Sequence, residues 1–139
     1  MRITKAFTFD AAHRLSNYAG KCRNLHGHTY LLEITLEGKS LNNSGMLLDF
    51  GVLKKTVNGI LDNFFDHKTI LMKDDLINKK LFEAIPLEYN SFYMVDYNPT
   101  AENMAKDLCG RLKLVFKDPI VSRIKLYETP TSSVEYKNE

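Results

Sequence analysis

Two cysteines, four prolines and seven glycines are few for 139 residues, and each scarcity removes a class of protein. Cys22 and Cys109 could form at most one disulfide. In a chain without a secretory signal such a lone bridge is not expected, so each thiol needs its own explanation. So little Gly and Pro, with no low-complexity tract, excludes fibrous and disordered classes. No uninterrupted apolar run approaches the ~20 residues that cross a bilayer. The opening Met1-Arg2-Ile3-Thr4-Lys5 has no apolar signal core, so a cytoplasmic protein without a membrane partner is expected. Excess charge of one sign is also missing. Nineteen Lys and Arg against seventeen Asp and Glu leave +2, and the scattered basic residues argue against nucleic acid as a partner.

What is present is an ordinary globular composition, 44% hydrophobic and 26% charged, in a length that suits one domain over residues 1–139. A domain of this size buries roughly two-thirds of its unfolded surface and needs no staples.

The hydrophobic pattern predicts the elements. Ile3, Phe7, Phe9 and Ala11 alternate with Thr4, Thr8 and Asp10, giving a half-buried strand that ends at His13. A polar loop over residues 15–25 leads to a second strand from His26, where Tyr30, Leu32, Ile34 and Leu36 share one phase until Gly38. Asp49 caps a helix with Leu53, Val57, Ile60, Leu61 and Phe64 on its apolar face, ending near Phe65. Residues 68–88 are less periodic. Asp74 or Asp75 could cap a short helix through Leu81, stopped by Pro86. Phe92 to Tyr97 has strand composition, and Asn98-Pro99 breaks it before Thr100 caps a helix with Ala101, Met104, Ala105, Leu108, Leu112, Val115 and Phe116 inward. Val121 to Glu128 alternates again, with a short edge piece at residues 133–136 beyond Pro130. The expected class is α+β, a four-stranded antiparallel sheet with two main helices on one face.

His26 and His28 are two residues apart, so on a strand both point to the same face, in phase with Leu32, Ile34 and Leu36. His13 is in phase with Phe7, Phe9 and Ala11. If the two strands pair as a hairpin, all three imidazoles converge at one end of the sheet. A lone His-x-His is more often packing than ligation; a third histidine in register changes that balance. Three imidazoles at about 2.0–2.1 Å suit zinc and leave one position open, as in catalytic sites.

Other chemistry surrounds this trio in the sequence. Cys22 lies four residues before His26, beside Lys21 and Arg23, where positive charge favours a thiolate that could serve as zinc ligand or general base. Cys109 reads as a small buried hydrophobe. Asp66 and His67 follow the first helix and could form a proton shuttle, or His67 could simply answer the helix dipole. Glu128, in phase with Ile124 and Leu126, is an acid on an apolar strand face. A ligand with paired N–H groups, such as the amino-pyrimidinone edge of a pterin, would satisfy both its oxygens; a surface glutamate past the sheet edge is the plainer alternative.

Five ordered motifs together, Phe9-Asp10-Ala11-Ala12-His13, Cys22-Arg23-Asn24-Leu25-His26-Gly27-His28, Asp66-His67-Lys68, Pro99-Thr100-Ala101-Glu102-Asn103 and Tyr127-Glu128-Thr129, resemble the 6-pyruvoyl-tetrahydropterin synthase family. The short spacing from Cys22 to His26 and the run Leu47-Leu48-Asp49-Phe50 match its bacterial 6-carboxy-tetrahydropterin-forming branch. The resemblance implies the tunnelling fold, with sheets joined into a barrel on oligomerisation, and a homohexamer built as a dimer of trimers with shared active sites. It implies one zinc per subunit on His13, His26 and His28 and the substrate 7,8-dihydroneopterin triphosphate. The implied products are 6-carboxy-tetrahydropterin, acetaldehyde and triphosphate, on the route to queuosine. Catalytic roles fall to Cys22, Asp66, His67 and Glu128, with Thr129 and Thr100 aiding Glu128 in binding the ring. Glu102 is assigned to support of the helix start. For the triphosphate, Arg14, Lys21, Arg23 and Lys68 are candidates by proximity. Formation of the pyruvoyl product, or zinc and pterin binding without catalysis, are the competing readings.

Overall fold

The computed structural model describes residues 1–138. Its frame is a long antiparallel hairpin. Strand β1 (Arg2–His13) pairs along its whole length with β2 (His26–Glu37), from Arg2 opposite Glu37 to His13 opposite His26. Phe7, Phe9 and Ala11 on β1 and Tyr30, Leu32, Ile34 and Leu36 on β2 are buried on one face, while Thr4, Ala6, Thr8 and Asp10 lie exposed on the other. Strand β5 (Ile120–Thr129) continues the sheet antiparallel to β2, and β6 (Ser132–Lys137) pairs antiparallel to β5.

The antiparallel pairing of β1, β2 and β5, with β6 as the short edge piece, follows the alternation, but the sheet is six-stranded and mixed where a four-stranded antiparallel one is expected. The two extra strands lie past β1. Strand β3 (Lys68–Met72) runs parallel to β1 at Ala11–His13, and β4 (Phe92–Val95) runs parallel to β3, giving the order β4-β3-β1-β2-β5-β6. Residues 92–95 thus form a strand as expected but pair in parallel, and β3 is an addition. Its pattern hid it: Ile70 and Leu71 are both fully buried, so β3 has no polar face and no alternation. Parallel neighbours need a crossover, which α2 (Leu76–Ala84) supplies, capped by Asp75 through the amides of Ile77 and Asn78.

Helix α1 (Phe50–Phe64) starts at Asp49, whose carboxylate accepts from the Gly51 amide at 2.6 Å, and buries Leu53, Val57 and Leu61 at intervals of four. Helix α3 (Ala101–Val115) starts at Thr100, capped by its own hydroxyl, and buries Met104, Ala105, Leu108, Cys109 and Leu112. Both faces join the inner residues of β1, β2 and β5 in one core. Each fully buried Leu or Ile there stabilises the fold by about 1.5–3 kcal/mol before entropy is counted. Cys109 is a core residue, as its sequence context predicts. Val115 is not; it is 52% exposed, because α3 ends there and the chain turns extended, so that Phe116 takes the inward place. Among the described residues no helix is long and apolar enough to cross a membrane.

Candidate metal centre and adjoining clefts

The hairpin register brings the histidines together. His13 faces His26 across the last pair of the ladder, and His28 lies opposite Ala11 on the same side as His26. Their ring centroids are 4.7 Å (His13 to His26), 4.9 Å (His26 to His28) and 5.2 Å (His13 to His28) apart. One ligand nitrogen from each lies within 4.8 Å of the other two.

At Gly27, between two of these histidines, a Cβ would stand 3.2 Å from the Ala11 carbonyl oxygen, so a larger residue needs the backbone there to give by a few tenths of an ångström.

Hydrogen bonds orient the rings. His13 donates from Nδ1 to the Pro99 carbonyl at 2.8 Å, and His26 from Nδ1 to the Asn24 carbonyl at 2.7 Å. A proton on Nδ1 leaves the lone pair on Nε2. The Nε2 atoms of all three histidines are buried and have no hydrogen-bond partner. Three buried, converging and unsatisfied nitrogens are costly unless something coordinates them, and three neutral imidazoles are a zinc-type donor set. Burial lowers the pKa of His13 most, with the charges of His26 and His28 acting in the same direction against the Pro99 bond and Glu128. His28 is likewise lowered, first by burial, with Glu128 opposing. The neutral forms that bind metal are therefore favoured.

Glu128 stands beside the trio, with Oε1 3.8 Å from His28 Nε2. It lines a cleft of about 370 Å³ together with Cys22, Thr100 and Glu102, and Tyr18 and Ser133 complete the wall. Glu102 is exposed in the first turn of α3 and so belongs to this wall as well as to the helix start. Thr129 lies in a neighbouring recess with Thr29, Leu31 and Tyr127.

His67 lines a different cleft, of about 440 Å³, with Asp10, Ala12, Gly27 and Thr29, and His28 borders it as well; Asp66 is its sequence neighbour. His67 has a left-handed backbone, φ 59°, which allows adjacent side chains to meet: its Nδ1 is 3.1 Å from Asp66 Oδ1. Asp10 braces the pair, its amide donating to Asp66 Oδ1 at 3.0 Å and its carbonyl accepting from the His67 amide at 2.7 Å. The ring of His67 is 79% exposed. Within one chain, then, Cys22, Thr100 and Glu128 share one cleft beside the three histidines, and His67 lines a different one that meets the trio only at His28.

Of the basic candidates, Arg14 is committed internally. It is buried, donating to the Arg23 carbonyl, Asp75 and Asn78, each at 2.9 Å. Sequence reasoning did not single out Asn98, whose side chain pins the chain just before the Cys22 loop to the start of α3. The one signal was its place in the Asn98-Pro99 break.

A family model described as 6-pyruvoyl tetrahydropterin synthase matches residues 2–139. A Rickettsia felis protein named 6-carboxy-5,6,7,8-tetrahydropterin synthase is 39% identical over 139 residues, covering 97% of this chain and 99% of its own. The solved structure of a Wolinella succinogenes protein described as uncharacterized superposes with a TM-score of 0.85 at 27% identity, covering 100% of this chain and 98% of the other. That of Caenorhabditis elegans 6-pyruvoyl tetrahydropterin synthase gives 0.72, also at 27% identity, covering 100% and 96%.

Proposed function

Because the chain belongs to the 6-pyruvoyl tetrahydropterin synthase family, we propose that it is a zinc-dependent carbon-carbon lyase. Its reaction would convert 7,8-dihydroneopterin triphosphate and one water to 6-carboxy-5,6,7,8-tetrahydropterin, acetaldehyde and triphosphate, in queuosine biosynthesis in the cytoplasm. The observation that carries the reading is the set of three unsatisfied Nε2 atoms beside Glu128, a carboxylate that shares a cleft with the Cys22 thiol. The name of the Rickettsia felis relative favours the carboxy-forming branch.

His13, His26 and His28 would hold one zinc per subunit. When bound, the ion supplies Lewis acidity toward side-chain oxygens of the substrate. Glu128 is the ring anchor, a carboxylate able to accept from two N–H groups of the amino-pyrimidinone edge, with Thr100 and Thr129 as further hydrogen-bonding groups. Cys22, as the thiolate, removes a proton from the substrate side chain. Asp66 orients His67 from 3.1 Å, and His67 carries the companion proton. Since Cys22 and His67 line different clefts of one chain, we assign the two halves of a site to neighbouring subunits of a homohexamer whose sheets join into a barrel.

The test is product analysis by mass on purified protein given dihydroneopterin triphosphate, with a chelated sample and Cys22→Ala alongside. Acetaldehyde and the carboxy-pterin should form with the untreated enzyme and be lost from the other two. Equal formation in all three would sink the mechanism. A pterin product that keeps its side-chain carbons, without acetaldehyde, would move the chain to the pyruvoyl-forming branch.

A further inference from the structure

We propose that Asn98 is the positioning residue that holds His13, the Cys22 loop and the Thr100 end of α3 in one register, so that metal centre and cleft are built as a unit. This rests on the reading that the three histidines hold a metal. The side chain of Asn98 makes a reciprocal pair with one backbone residue. Its Oδ1 accepts from the Ser16 amide and its Nδ2 donates to the Ser16 carbonyl, both at 2.9 Å. Only a planar group carrying both donor and acceptor can do this, which selects Asn or Gln, and Asn is the shorter. Ser16 opens the loop that carries Cys22, and its neighbour Leu15 donates to the Cys22 carbonyl at 2.9 Å.

The main chain of Asn98 does a second task. Its carbonyl accepts from the Thr100 amide at 2.7 Å and from Asn103 Nδ2 at 3.0 Å, fixing the first turn of α3. Between these anchors lies Pro99, with φ locked by its ring. The direction of its carbonyl is therefore set by its neighbours, and that carbonyl is the acceptor for His13 Nδ1 at 2.8 Å. Loss of the Asn98 clamp frees this peptide to rotate, removes the bond that keeps the His13 proton on Nδ1, and loosens Nε2 as a ligand.

The experiment compares Asn98→Ala and Asn98→Asp with the parent and with Asp49→Ala, which removes the cap of α1 far from this cluster. Zinc affinity is read by competition with a chromophoric chelator, the rate of Cys22 modification by a thiol reagent, and the unfolding midpoint without metal. Cys109, at 1% exposure, will not contribute to the thiol signal. Asn98→Ala should weaken zinc binding roughly tenfold to a hundredfold and speed modification of Cys22. Asp49→Ala should lower the midpoint and leave zinc affinity unchanged. Zinc binding by Asn98→Ala at the parent's affinity would overturn the proposal, as would equal weakening in Asp49→Ala. If Asn98→Ala does not fold, Asn98→Asp, which keeps the acceptor for the Ser16 amide and loses the donor, decides by the same readout. A parent that binds no zinc would overturn the metal reading itself, whereas parent-like binding in the Asn98 variants removes only the role of Asn98.

Discussion

Gly27 shows how much a single residue can matter at this hairpin. Strand pairing sets the Ala11 carbonyl 3.2 Å from where a Cβ would stand, and neither atom belongs to a flexible side chain. Gly27→Ala should therefore shift β1 against β2 by a few tenths of an ångström beside the histidines, lowering the unfolding midpoint and weakening zinc binding in the same chelator competition. A substitution that leaves both unchanged would show that the strands have slack there. Asp75 offers a pH test. Burial favours its neutral form, but hydrogen bonds from Ser16, the Asn78 amide and Arg14, with the charge of Arg14, outweigh it and hold the carboxyl at about 2. A pKa depressed by folding gives stability that is fully present above the unfolded value and is lost as pH falls from about 5 toward 2. Urea unfolding at pH 7, 4 and 3 should show Asp75→Asn destabilised at pH 7 by on the order of 1–2 kcal/mol, with a flatter acid limb than the parent. From sequence Asp75 was one of two candidate helix caps, with Asp74, and the structure selects it; its pairing with Arg14, sixty-one positions away, left no signal.

At the scale of elements, periodicity worked wherever an element has one wet face. Helices α1 and α3 and the alternating strands β1, β2 and β5 all obey this, and their caps at Asp49 and Thr100 follow from local chemistry alone. Strand β3 is covered on both sides, and β4 has only four residues, so neither carries a period long enough to read. The parallel pairing of these two strands depends on the α2 crossover, which is a property of topology. In α3 the buried face centres on Leu108, which is 1% exposed in the common core. Leu108→Ala should cost 2–5 kcal/mol in urea unfolding, whereas Val115→Ala, at an exposed helix end, should change stability by less than about 0.5 kcal/mol.

For the molecule as a whole, the separation of Cys22 from His67 has the largest consequence. One chain presents a thiol and carboxylate cleft beside the three-histidine cluster and, lining a different cleft, a histidine whose ring is 79% exposed. If neighbouring subunits complete one another's sites, inactive Cys22→Ala and inactive His67→Ala proteins, dissociated and reassembled together, should regain activity. Random mixing of two chains leaves about a quarter of such shared sites with both groups intact. Mixtures as dead as the two separate variants would place thiol and imidazole in the same chain's site.

The sequence by itself determined the class of fold, the three metal-binding candidates and the phase of Glu128, because a strand alternates faces whatever it packs against, and two residues of separation guarantee a shared side. It determined the acids that cap helices for the same local reason. Only the tertiary structure decided that the three Nε2 atoms converge without other partners, since that depends on Pro99 and Asn24 carbonyls reaching the opposite nitrogens of two rings. It also decided that Arg14 is consumed by Asp75, that Asn98 ties the cleft together, and that His67 and Cys22 line different clefts. The Asn24 bond to His26 is local, but the others relate residues distant in sequence, where direction is set by the packing of elements and leaves no periodic trace in the chain.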